Sequence, residues 1–78
     1  MFTPTNRRAR GFTWISTTMR SAYIDLDNPK APAVAVVRRD GDGFRIEIRG
    51  KEVERFVPPT RRRAQSQAEA RALELLGN

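Results

Sequence analysis

The chain has 78 residues, 15 of them lysine or arginine against 9 aspartate or glutamate, a net charge of +6, and neither cysteine nor histidine. Those absences remove disulfides, thiolate zinc sites, thiol nucleophiles and the usual general base near neutral pH, so the composition argues against an enzyme and implies no metal or cofactor. A chain this short buries only about 60% of the surface its unfolded form exposes, and no apolar run approaches the roughly 20 residues that cross a bilayer. The expectation is one small cytoplasmic domain that does not span a membrane.

Thirteen of the fifteen basic residues are arginine. A GC-rich genome alone yields arginine over lysine, and scattered arginines usually do no more than solvate a surface. Their placement is more informative. Arg7, Arg8, Arg10 and Arg20 follow one another without an intervening acid, and Arg61, Arg62 and Arg63 stand together before a helical segment. So much positive charge on a small body attracts phosphate polymers and acidic protein surfaces.

Residues 1–18 carry Pro4, Gly11 and many threonines and read as a flexible basic leader, with residues 19–78 as the domain. An Arg-rich, acid-poor start is also the composition of an organellar transit peptide, and Met19 is an alternative start. Trp14 has two readings. In an arm it stacks on an unpaired base or anchors in a partner's pocket; in the core, it makes Phe12–Thr17 an extra edge strand.

From Arg20 to Leu26 the residues alternate as in a half-buried strand, ended by Asp27, Asn28 and Pro29. Ala33–Arg39 is the next strand, and Asp40, Gly41, Asp42 and Gly43 form the strongest turn signal in the chain. As a calcium loop that turn lacks the further acidic ligands. Phe44–Arg49 has a clean period of two, with Phe44, Ile46 and Ile48 on one face and Arg45, Glu47 and Arg49 on the other. A three-residue loop would set Val36 opposite Ile46 and Val34 opposite Ile48. Gly50 and Lys51 lead into Glu52–Val57, where a three-residue loop sets Glu47 opposite Arg55 and Ile46 beside Phe56, avoiding a Glu47–Glu54 pair.

Pro58 and Pro59 stop the last strand. Ser66 and Glu69 have capping-box spacing, placing the helix start near Gln67 and its stop at Gly77. Ala68, Ala72, Leu75 and Leu76, with Leu73 flanking, give that helix an apolar side. The fold class is therefore α+β, a three- to five-stranded antiparallel meander with one C-terminal helix packed on one face. The other face stays open and presents Arg45, Glu47 and Arg49.

The stretch from Ala33 to Leu76 resembles the arm-type DNA-binding domain of phage-family tyrosine recombinases, a three-stranded sheet with a C-terminal helix. The likeness rests on the turn Asp40–Gly43, the strand Phe44–Arg49, and the segment from Ser66 through Ala72 to Leu76. It implies a sheet that enters the major groove, with Arg45 and Arg49 as contacts. Small free-standing proteins of phages and mobile elements are similar too.

The expected function is that of a non-enzymatic nucleic-acid-binding accessory protein of a phage or bacterium. Its contacts would come from Arg7, Arg8, Arg10, Arg20, Arg38, Arg39, Arg45, Arg49, Arg61, Arg62, Arg63 and Trp14. The alternative is a small module that docks on an acidic host protein, or pairs with a second copy, through an exposed sheet edge.

Overall fold

The computed structural model of the protein describes residues 11–77. Five antiparallel strands form a meander in sequence order: β1 (Phe12–Thr17), β2 (Arg20–Asp25), β3 (Ala35–Asp40), β4 (Gly43–Ile48) and β5 (Lys51–Phe56). A single helix, α1 (Ala64–Leu75), lies across β3 and β4 on one face. The α+β meander with a covering C-terminal helix is thus the observed architecture, with all five strands in one sheet.

The sheet begins at Phe12, so the domain boundary moves back from residue 18. Trp14 and Phe12 explain why. Their rings lie 5.0 and 5.2 Å from that of Tyr23, a fully paired neighbour on β2, and burying aromatic surface offsets the entropy of ordering an edge strand. Trp14 takes the core reading of its two. Arg7, Arg8 and Arg10 lie outside the described residues.

The core is formed by Tyr23, Ala35, Val37, Phe44 and Ile46 from the sheet and Ala68, Ala72 and Leu73 from α1. Three of these eight are alanines. Ala35, Ala68 and Ala72 are each 0% exposed, and their small side chains let the helix backbone approach β3 closely.

Both hairpin registers differ from the expected ones. Asp40 pairs with Gly43, leaving a two-residue loop in which Gly41 takes a φ of 63°, the Gly-first form that two-residue hairpins accommodate. Val37, and not Val36, is therefore opposite Ile46, and Ala35, not Val34, is opposite Ile48. A shift of one residue exchanges faces: Ala35 and Val37 go under the helix, and Arg38 turns out to solvent. The second hairpin also has a two-residue loop, with φ of 51° at Arg49 and 82° at Gly50. Glu47 faces Glu52, a bulge at Val53 follows, and Phe44 faces Phe56.

The bulge has a consequence for packing. It brings Glu54 onto the helix face, where Arg71 donates from Nε at 2.7 Å and from Nη2 at 2.8 Å to its two carboxylate oxygens. This bidentate bond ties β5 to α1.

The helix starts at Ala64, three residues earlier than the capping-box spacing suggests. Arg63 occupies the N-cap with φ 53° and ψ 39° and makes no side-chain cap bond. Gln67 reaches back from the first turn, its amide donating to the carbonyl of Arg62 at 2.8 Å and to Thr60 Oγ1 at 3.0 Å. Glu69 serves elsewhere, accepting a bond of 2.7 Å from Ser21 Oγ. Ser21 is fully buried and also accepts a bond from Gln65, so a polar clasp joins β2 to the helix. At the far end Gly77, with φ 86°, stops the helix as expected.

Two outcomes follow for stability. A Cβ on Gly43 would sit 2.8 Å from the carbonyl oxygen of Phe56, so Gly43→Ala should destabilise the domain by about 1–3 kcal/mol, read from the midpoint of chemical denaturation. The Arg71 bonds hold the Glu54 carboxyl below its ordinary value of 4.5, so the pair stabilises fully above that pH and is lost as the pH falls through the lowered folded value. Glu54→Gln should therefore flatten the acid limb of the stability-against-pH curve, with the difference from wild type largest near neutrality.

Candidate nucleic-acid interface

The registers align four arginines in one cross-strand row. Arg20 pairs with Arg38, Arg38 with Arg45, and Arg45 with Arg55, so the row crosses β2, β3, β4 and β5 on the face opposite the helix. Neighbouring strands lie about 4.8 Å apart, and like charges at that spacing destabilise a sheet unless something intervenes.

Carboxylates intervene at three of the four positions. Arg38 Nε donates to Glu47 at 3.0 Å, and Arg45 Nε donates to Asp40 at 2.9 Å with Glu52 at 3.8 Å beyond it. Arg55 donates to Asp40 at 3.3 Å and to Asp42 at 3.2 Å. The bonds from Arg45 first, then Arg55, hold the Asp40 carboxyl below its ordinary range. The Asp40 bond raises Arg45, and the Asp42 bond, followed by that of Asp40, raises Arg55. Asp40 therefore stays ionised and occupied by its two guanidiniums across the physiological range.

Five arginines remain without a carboxylate partner in the same part of the molecule. Strand direction brings them together: the turns after β1 and β3, the exit of β5 and the start of α1 all lie at one end of the sheet. Arg20 opens β2 there, and the amide of Arg39 donates to the carbonyl of Met19 at 2.7 Å, which fastens the two turns together. Arg61, Arg62 and Arg63 are exposed in the link between β5 and α1. None of Arg20, Arg39, Arg61, Arg62 and Arg63 has an ion-pair partner among the described residues.

A cleft of about 610 Å³ opens at this end. Val57, Pro58 and Pro59 form an apolar wall, and Arg39 and Arg61 are in its lining. The Arg39 guanidinium lies over the Phe44 ring, 5.9 Å from its centre, within the reach of a cation–π attraction.

The expected contacts divide accordingly. Arg20, Arg38, Arg39, Arg45, Arg61, Arg62 and Arg63 are gathered at one end and on the adjoining open face. Arg49 is not with them. Its strand ends at Ile48, and Arg49 occupies the turn at the opposite end with a left-handed backbone. Trp14 faces Tyr23 on the helix side of the sheet, away from the arginine row. Arg55 has no signal in the sequence that marks it as a contact, because its place in the row depends on the bulge at Val53.

The open face has a second character over β1, β2 and β3. Ile15 pairs with Ala22 and Ala22 with Val36, so a short apolar strip borders the arginine row. No protein-family model, curated protein or solved structure matches the chain.

The unpaired triplet contributes nothing to the core and occupies a strained position at Arg63, where an L residue has a left-handed backbone. Replacing Arg61, Arg62 and Arg63 together by alanine should leave the unfolding free energy within about 0.5 kcal/mol of wild type, and Arg63→Gly should not lower it. Thermal or denaturant unfolding monitored by circular dichroism checks both.

Proposed function

We propose that the protein is a non-enzymatic nucleic-acid-binding module that grips phosphates with the arginines at the cleft end of its sheet. One observation carries this reading. Five arginines from three separate chain segments converge at one end with no carboxylate partner, while the acids nearest them are held by Arg45 and Arg55. Unpaired guanidiniums repel one another and weaken a fold slightly, so their convergence fits an anionic ligand that supplies the missing charge. Arginine also suits that ligand through bidentate geometry. The paired arginines of the row add a strip that phosphates can engage by exchanging partners.

A second reading, docking on another protein chain, rests on the contrast between the two sheet edges. β5 carries Lys51, Glu52, Glu54 and Arg55 and is interrupted by its bulge, both of which discourage added strands. β1 (Phe12–Thr17) has no charged residue and no bulge, and Ile15 on it is 46% exposed. A partner strand or a second copy would add there.

Salt dependence separates the two. Binding of a fluorescein-labelled oligonucleotide should weaken linearly on a log–log plot with a slope near −3.5 for about five phosphate contacts, and the Arg61→Ala, Arg62→Ala, Arg63→Ala triple variant should reduce that slope by about 2. Absence of binding to DNA and RNA at low salt would overturn the nucleic-acid reading.

A further inference from the structure

We propose that the cleft between the β3–β4 turn and the link before α1 is a nucleotide pocket that takes one unstacked nucleotide of a single-stranded nucleic acid, resting on the nucleic-acid reading above. Its size is that of a small-ligand site, at about 610 Å³, within the several-hundred-Å³ range of pockets that enclose a nucleotide-sized ligand. A duplex presents its bases stacked in pairs and its phosphates on a convex rod. Neither enters a concavity of this size.

The two halves of a nucleotide have matching surfaces in the cleft. Val57, Pro58 and Pro59 are contiguous and apolar, and Val57 is 51% exposed. This apolar wall stays partly exposed beside unpaired arginines, and a base can lie against such apolar side chains with its π face. Arg39 lines the same space with its guanidinium carbon 5.9 Å from the centre of the Phe44 ring, so that an arginine and an aromatic ring, both groups on which a base stacks, stand side by side in the lining. Arg61 lines the cleft and Arg62 and Arg63 follow it, exposed, along the link, which supplies cations for the phosphates next to the captured nucleotide. The one carboxylate in the lining, Asp42, is engaged by Arg55 at 3.2 Å, which offsets its repulsion of a phosphate.

The link itself is built to hold this shape. Consecutive prolines restrict the backbone of the wall, Gln67 fastens Thr60 and Arg62 from the helix, and Gly43 leaves room for the carbonyl of Phe56 just before the wall begins. A wall fixed in advance loses little entropy when a base settles on it.

The test is a fluorescence anisotropy titration of the full chain with ten-nucleotide oligothymidine, ten-nucleotide oligouridine and a ten-base-pair duplex at two salt concentrations. At least one single strand should bind about 10-fold more tightly than the duplex, and Arg39→Gln should cost that single strand about 10-fold. Val57→Ser alters the wall without altering charge at an exposed position, and should weaken the single strand several-fold while leaving the duplex unchanged. Arg49→Ala, at the opposite end, should leave single-strand affinity within about twofold. Equal affinity for duplex and single strands, with Val57→Ser neutral, would overturn the pocket and leave the arginine reading standing. No binding to any probe at low salt would overturn both.

Discussion

The two-residue turn at Gly41 and Asp42 governs the rest of the molecule. By pairing Asp40 with Gly43 it sets the register of the central hairpin, and that register decides which side of β3 meets the helix. Ala35 and Val37 are buried as a result, and α1 can settle on Ala35 with Ala68 and Ala72. The same choice directs Arg38 outward and aligns it with Arg45, without which the cross-strand row would be broken. A one-residue slip would put Val36 under the helix, carry Arg38 to the buried side and separate Asp40 from its two guanidiniums.

Around that hairpin the fold is held by few but well-matched polar ties. Arg71 on Glu54 joins β5 to the helix, and Ser21 with Glu69 and Gln65 joins β2 to it. The Arg71–Glu54 pair lies at the border of the apolar contact, whereas Ser21 is fully buried within it, opposite Val37. Hydrophobic burial supplies the driving force in a domain this small, and these directional bonds select one placement of the helix over its neighbours. Among the described residues no buried side-chain polar atom is left without a partner, which fits a fold that depends on those bonds.

Much of this was legible in the residues. Period-two alternation in Phe44–Ile48 and the turn signals at Asp40–Gly43 and Pro58–Pro59 mark β3, β4, β5 and their order, and Gly77 marks the helix end. Register was not legible, because two- and three-residue loops both give β3 an apolar face, the choice lying between Val34 with Val36 and Ala35 with Val37. The Ser66–Glu69 spacing imitates a capping box, yet Glu69 satisfies Ser21 across the core and Gln67 takes up the link, so tertiary bonds outweighed the local pattern. The candidate site was half legible. Arg61, Arg62 and Arg63 stand out as a run, but their meeting with Arg20 and Arg39 depends on strand direction, and Arg55 enters only through a bulge.

Unpaired positive charge is concentrated at one end of the sheet. The paired arginines of the open face resemble an ordinary solvated surface, while Arg20, Arg39, Arg61, Arg62 and Arg63 lie at one end of the sheet without ion-pair partners among the described residues, Arg39 and Arg61 lining the apolar-walled cleft there. The most direct measurement of that claim is a map of backbone amide shifts on titrating ¹⁵N-labelled protein with a short single-stranded oligonucleotide at low salt. The account predicts that the largest changes fall on residues 38–42 and 57–64, with Arg49 and Lys51 nearly still. Changes centred on the Arg49–Gly50 turn, or confined to β1, would contradict it.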